Sequence, residues 1–579
     1  MIRVSGAVIR FFAFNGCCDN MKRDIQSLGG KTFDVLVIGG GITGACIAHD
    51  AALRGLAVAL VEKRDFGGFT SSASSKLLHG GIRYLPKAQF WKIRESAREQ
   101  AILQHVAPHL TQWVPFLIPT RKEALVQGAL ALKVAMYIYR GICAGLTELI
   151  RDSGKRPPAA RFYRPGELFQ RVPFLKGIGG ITGAQELWES HMYSSERMVL
   201  AFVKTAVHNG AAAANYAEVV ELLREGSRVA GALVKDVLTG TSFPVRAALV
   251  INAAGPYVQS VNRSVPALQL KKEITGFSRG VHLVTRQLED RYALALTTRQ
   301  KTEGLITRGG RHFFIIPWRT RSLIGTTNVP FSGNPDDIQV SEKDIEEFLE
   351  EINRSVPGLN LTRSDVSYAF TGLYPLISRK VKKDTYQGTG DYQIIDHSRA
   401  DNIDGIVTAL GAKYTTARLV AEKTVNLAAG KLPTPSFPCR TVEVRLSEGN
   451  IEDLEEFKHR CLEKYSSRLD QEVITHLIRY HGTEIENVVE TGLQKNMLIR
   501  LHPETFTLEV EVYLAVAEEM AQTLEDVVFR RTGLGTQGHP GQEALARCAE
   551  IMGDLLGWDG QERERQIATI NERYRYRSG

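Results

Sequence analysis

FDVLVIGGGITGACIAHDAALRGLAVALVEK, residues Phe33 to Lys63, reads as one complete β-α-β unit. Val35, Leu36, Val37 and Ile38 form an unbroken apolar run, the pattern of a parallel strand covered on both faces. Gly39, Gly41 and Gly44 follow with G-x-G-x-x-G spacing. The first permits a tight turn, the second lets a pyrophosphate approach the backbone, and the third lets helix pack on strand. A helix from about Thr43 to Arg54 then points its positive end at the phosphates. Gly55 stops it, and a second strand from Ala57 to Val61 delivers Glu62, placed to accept the ribose hydroxyls of an adenosine. A carboxylate there argues against a 2′-phosphate, and hence against NADP, without separating NAD from FAD.

The rest of the chain is interpreted around this unit. Its 579 residues, 43% of them hydrophobic, suffice for two to four domains with a large core. The formal charge of +8 suggests anionic partners, but the basic residues are dispersed rather than gathered in one arm, so no nucleic-acid partner is expected. Seven cysteines without a C-x-x-C pair indicate neither a disulfide framework nor a metal site, and fit a reducing cytoplasm. The most apolar stretch, 124–139, is interrupted by Lys133 and followed by Arg140, too short and too charged for a membrane span. The first twenty residues make a poor signal peptide, and Met21 reads as the better start.

Several later segments carry pattern. Residues 70–85, TSSASSKLLHGGIRYL, are dense in small hydroxyl residues and end on a basic-aromatic pair, as in a turn-rich loop or a cofactor-facing one. A polar helix is expected over 88–107, apolar helices over 121–150, another helix over 193–208, and a buried strand running into a small-residue turn over 248–258. Alternating runs across 270–380 predict a largely antiparallel sheet. Residues 405–423, GIVTALGAKYTTARLVAEK, return to strand, turn and helix. After LPTPSFP the chain turns helical, with Thr523 and Asp526 spaced as a capping box.

In order, VIGGGITGA, TSSASSKLLHGGIRYL, INAAGPYV, FFIIPWRTRSLIGTTN, ALGAKYTTARLVAEK and TLEDVVFRRTGLG make the chain resemble the FAD-dependent glycerol-3-phosphate dehydrogenase and oxidase family, from residue 33 to the C-terminus. The resemblance implies an α/β fold: a Rossmann-like FAD domain over 33–120, 190–262 and 385–432, a helical insertion over 121–189, a mixed or antiparallel substrate sheet over 263–384, and an all-helical domain over 433–579. Residues 1–32 are expected to be a disordered extension. FAD contacts are implied for Gly39, Gly40, Gly41, Thr43, Gly44, Glu62, Lys63, Thr70, Ser71, Ser72, Ser75, Lys76, Leu78, His79, Gly80 and Gly81 in the first half. Val219, Ala254, Gly255, Gly411, Lys413, Tyr414 and Thr415 complete that set. Oxidising a secondary alcohol needs a base near the hydroxyl, and His282 matches the family's active-site histidine. Arg83 and Tyr84 match its substrate-contacting pair, Thr326 and Tyr374 occupy further substrate positions, and Lys413 matches the lysine at flavin and substrate. Thr415 and Thr416 either cap the following helix or bond the flavin. The implied activity is oxidation of sn-glycerol 3-phosphate to dihydroxyacetone phosphate with quinone, rivalled by oxygen, as acceptor. A peripheral contact with the inner face of the cytoplasmic membrane is implied, and a homodimer is compatible with it.

Three positions depart from the family: Tyr374 stands where it has arginine, Ala412 where it has glycine, and Asn328 where it has aspartate. The loss of that arginine removes a fixed charge, for which Arg379 and Lys380 are the nearest substitutes in sequence. The departures leave open another anionic polyol as substrate, or an FAD-binding sensor or scaffold.

Overall fold

The computed structural model describes residues 3–4, 7–8, 21–121, 128–268, 270, 274–298, 312–376, 391–411 and 413–577. Arg379, Lys380 and Ala412 lie outside the described residues.

The apolar run beginning the β-α-β unit becomes the strand Thr32–Ile38 at the centre of an eight-stranded sheet. It pairs in parallel with Val58–Val61 on one side and with Ser242–Asn252 on the other. Helix Ile42–Leu53 follows the glycine turn and packs against helices Ser195–His208 and Ala417–Ala429. Its close seat is set by Gly44, where a Cβ would lie 1.8 Å from the Gly39 carbonyl oxygen. The strand Ser242–Asn252 is shared: its first half pairs antiparallel with Arg228–Asp236, its last residues in parallel with Ile406–Leu410. The chain enters the nucleotide sheet in three separate stretches, 32–61, 212–252 and 393–410.

The second sheet has ten strands and is mixed. The long strands Gly276–Arg286 and Val366–Leu376 pair antiparallel along most of their length, His282 opposite Phe370 and Ser278 opposite Tyr374. Two expected boundaries are corrected here. Thr111–Arg121, expected with the nucleotide domain, and Ile181–Met192, expected in a helical insertion, pair with each other inside this second sheet. Ala293–Leu294 join them in parallel to Phe116–Leu117, and Leu77–Leu78 add an edge. Burial drives the reassignment, since Val114, Phe116 and Leu117 fill the cores beneath that sheet. Helix Ala129–Ile142 remains of the expected insertion's apolar helices.

The extension expected to be disordered is packed from Met21 onward. Leu28 is fully buried, Met21 is almost so, and Arg23 pairs with Asp236 at 2.6 Å.

The C-terminal part is helical from Leu454–Tyr465 to Gly560–Glu572. Its capping box forms as spaced: the Asp526 N–H donates to Thr523 Oγ1 at 3.3 Å and the Thr523 N–H to Asp526 Oδ2 at 3.0 Å. The π-helical turn Asp526–Arg531 follows and docks on the nucleotide domain. There Asp65, fully buried after the second strand, accepts from Arg530 Nε at 2.6 Å, Arg531 Nη1 at 2.6 Å and Nη2 at 2.7 Å, and Asn215 Nδ2 at 2.9 Å. A second buried cluster joins Lys204 and Arg197 to Glu448, Glu484 and Glu519. These three carboxylates are close enough to share an ion, but the Lys204 ammonium already bridges them.

Candidate active site

Where the two sheets meet lies a cavity of about 640 Å³, lined at one end by the glycine turn and at the other by His282, Arg83 and Lys413. The glycine turn meets the requirements of a pyrophosphate. Gly39 has φ +104°, and a Cβ on it would lie 2.7 Å from the Ala253 carbonyl oxygen. Beside Gly41 the nearest obstacle is the Ser71 hydroxyl at 3.2 Å, so its backbone is open to the cavity. Ser71 Oγ accepts the Ile42 N–H at 2.9 Å at the start of the helix.

Of the residues expected to touch FAD, Gly39, Gly41, Thr43, Glu62, Lys63, Thr70, Ser71, Ser75, His79, Val219, Ala254, Gly255, Gly411, Lys413, Tyr414 and Thr415 line this cavity. Others stand behind its wall. Gly40 is pressed against Phe66 and Glu62, while Gly44 seats the helix. The Ser72 hydroxyl is turned onto the Phe69 carbonyl oxygen. Lys76 is fully buried and spent on Glu196 Oε1 at 2.5 Å, Ser195 Oγ and the Ser72 carbonyl. Leu78, Gly80 and Gly81 form a pinned backbone, with the Gly80 N–H donating to Glu189 Oε2 at 2.7 Å and Gln100 Nε2 to the Leu78 carbonyl at 2.7 Å. Tyr84 is buried beside Arg83 rather than on the cavity surface.

Glu62 accepts the Gly40 N–H at 2.6 Å and the Arg64 N–H at 2.9 Å, so its carboxylate also fixes the turn. Burial pushes this carboxyl above its ordinary range against those two hydrogen bonds. The question of the two threonines resolves unequally. Thr415 Oγ1 accepts the His79 N–H at 3.0 Å, whereas Thr416 stands at the N-cap position without a side-chain cap, its buried hydroxyl unpartnered among the described residues.

At the reacting end, His282 Nε2 lies 2.9 Å from Ser75 Oγ, and its ring stacks on Phe370 with centroids 4.9 Å apart. Gly325 permits this, since a Cβ there would meet His282 Cδ2 at 2.1 Å. Burial, aided by the Lys76 charge, lowers the imidazole to about 3, so it is neutral at ordinary pH. The Arg83 guanidinium reaches the Tyr84 hydroxyl at 2.7 Å, and the Lys413 ammonium sits 4.9 Å from the same ring centroid. Burial and then the Arg83 charge bring Lys413 down to about 8. Two cations held this close favour an anion between them.

Thr326 and Tyr374 line the same end, as does Asn328, whose Oδ1 accepts from Ser278 Oγ at 3.4 Å. Arg279, next along that strand, is bound to Asp344 at 2.9 Å and to the Gln339 carbonyl. Cavity residues missed in the sequence include Arg64, Tyr257, Phe314 and Asp336. The motif INAAGPYV pointed at Tyr257; nothing local pointed at Asp336.

A cavity between two domains, with a glycine turn for a pyrophosphate at one end and a histidine beside two cations at the other, suits an enclosed dinucleotide such as a flavin oxidoreductase holds. Comparison with known proteins agrees. Residues 34–427 match the family model described as FAD dependent oxidoreductase, and 439–563 that of the C-terminal domain of alpha-glycerophosphate oxidase. A glycerol-3-phosphate dehydrogenase of Synechocystis is 31% identical, over 95% of this chain and 98% of its own. The mitochondrial glycerol-3-phosphate dehydrogenase of Homo sapiens is 34% identical, over 94% of this chain and 74% of its own. The glycerol-3-phosphate dehydrogenase of Bacillus halodurans, solved in complex with FAD, superimposes with a TM-score of 0.73 at 26% identity, covering 95% of this chain and 96% of that one. The chain belongs to the glycerol-3-phosphate dehydrogenase family of FAD-dependent oxidoreductases.

Proposed function

We propose that this enzyme oxidises sn-glycerol 3-phosphate to dihydroxyacetone phosphate and passes the electrons to a membrane quinone. The observation that carries the reading is the Arg83 and Lys413 pair flanking Tyr84 at the His282 end of the cavity. Arg83 donates a planar fork to the phosphate and Lys413 a point charge, fixing the substrate by the end that does not react. Bound FAD supplies a hydride acceptor. The neutral His282 imidazole takes the hydroxyl proton as the carbon–hydrogen bond breaks and the electron pair leaves with its hydrogen. Ser75 orients the ring, and Phe370 holds its plane.

Anaerobic bleaching of the flavin by a panel of polyol phosphates tests the reading, with sn-glycerol 3-phosphate expected to be the fastest. Reduction only by another anionic polyol would move the substrate, a reading that Tyr374 favours. No reduction by any of them would leave an FAD-binding scaffold. His282→Ala is expected to slow reduction by ~10²–10⁴ while FAD stays bound, the usual range for removing a general base.

Among the described residues no helix is long and apolar enough to cross a membrane. Helix Ala129–Ile142 nevertheless exposes Leu130, Val134, Tyr137 and Ile138, and the adjoining helix exposes Phe90 and Trp91. Exposed Lys133 and Arg140 lie on the first of these helices. An apolar patch with basic companions suits peripheral contact with an anionic leaflet and with the quinone dissolved there. Steady-state turnover with a short-chain quinone, against oxygen uptake, decides the acceptor.

A further inference from the structure

Three chain segments that are distant in sequence converge on one carboxylate at the nucleotide end of the cavity. Asp336 lies in the short turn Pro335–Asp337 after the second sheet's strand Val329–Phe331. Its own N–H is bonded to Asn334 Oδ1 at 3.2 Å, which shapes the turn. Asp336 Oδ1 accepts from the Tyr257 hydroxyl at 2.6 Å, from Arg64 Nη2 at 2.6 Å and from Lys63 Nζ at 3.2 Å. Tyr257 follows the strand Ser242–Asn252; Lys63 and Arg64 follow Glu62. The Lys63 ammonium also sits 3.6 Å from the Tyr257 ring centroid. All four residues line the cavity, and the three charged ones are part-exposed.

The chemistry is that of a latch. Burial alone would raise the Asp336 carboxyl, but the Tyr257 and Lys63 hydrogen bonds outweigh it and the group stays charged. Its partners belong to the nucleotide domain and Asp336 to the substrate domain, so the contact bridges the two walls of the cavity. Part-exposed ion pairs of this kind break readily and are weakened by salt.

We propose that Asp336, with Lys63, Arg64 and Tyr257, forms a gate that FAD must pass to enter or leave, and that opening this latch limits FAD exchange. Such a gate acts on the cofactor, whichever polyol derivative is oxidised.

A gate differs from an ordinary affinity contact in that loosening it speeds passage in both directions. The test measures FAD release from holoenzyme by recovery of flavin fluorescence on dilution, and FAD uptake by the apoprotein by its quenching, at low salt and at about 0.5 M KCl. Asp336→Ala is expected to accelerate both release and uptake by about tenfold. The unaltered protein is expected to speed up with salt while the variant does not. Tyr257→Phe, which deletes one donor, should do the same to a smaller degree and provides the test if Asp336→Ala fails to fold. Faster release with unchanged uptake would overturn the gate, reducing Asp336 to a contact that only adds affinity. Unchanged rates in both directions, or a salt response that survives in the variants, would overturn it too.

Discussion

Lys413 ties charge to substrate affinity within the working pH range. Its ammonium is brought down to about 8 by burial and by Arg83, so it is charged below that pH and neutral above it. An anionic substrate binds the charged form. Its KM is therefore expected to rise as pH climbs through about 8, approaching tenfold per unit above that point. Lys413→Arg, whose guanidinium does not titrate there, should flatten the rise in a KM profile against pH. Tyr374 presents the opposite problem, a neutral hydroxyl where the family resemblance implies an arginine. Arg279, on the paired strand Gly276–Arg286, is committed to Asp344 and is no replacement. Tyr374→Arg is expected to lower the KM for sn-glycerol 3-phosphate by roughly ten- to a hundredfold, the value of one charge-assisted contact. An unchanged KM, with tighter binding of a different polyol anion to the unaltered enzyme, would mark a pocket built for that other anion.

Among the elements, the segment before the first strand gives a direct stability test. Deleting residues 1–20 is expected to leave the urea midpoint in place. Deleting 1–29 removes buried Met21 and Leu28 and the Arg23–Asp236 pair, and should cost about 3–5 kcal/mol. This packing was not legible in the sequence because its partners are distant: Asp236 lies 213 residues from Arg23. The β-α-β unit was legible because strand, glycine turn and helix each carry their signal locally. Thr111–Arg121 was not, since Pro115 and Pro119 argue against an inner strand; the structure accommodates them by limiting the parallel pairing there to Phe116 and Leu117. Ile181–Met192 was hidden by its charges. Glu186 and Glu189 face inward, satisfied by Tyr163 and by the Gly80 N–H, so the strand lacks an apolar face. At the site, His282, Arg83 and Lys413, singled out by motifs, line the cavity, whereas Asp336 carries no local signal because its partners Lys63, Arg64 and Tyr257 are brought to it by the fold.

For the whole molecule, the junction between the helical domain and the nucleotide loop governs acid stability. Burial would raise the Asp65 carboxyl, but Arg531 and Arg530 outweigh it and hold the group well below the usual carboxylate range. A depressed carboxylate stabilises the fold above its unfolded value, near 3.9, and that contribution is lost as pH falls below it. Bound FAD is therefore expected to stay in place at about pH 4 and to be released only as pH falls well below it, toward the far lower value Asp65 has in the fold, because Asp65 anchors the loop from Glu62 to Thr70 that lines the nucleotide end. Asp65→Asn should bring that release to neutral pH, as followed by flavin fluorescence.

Asp65 and its two arginines are separated by 465 and 466 positions. A ribosome adding roughly 5–20 residues per second takes on the order of half a minute to a minute and a half to cover that distance. Throughout this interval the nascent nucleotide half carries a carboxylate for which it has the Asn215 amide but neither of the two arginines, and its loop lacks that anchor. Flavin capture is then among the last events of biogenesis, following the emergence of the helices that chemistry never uses.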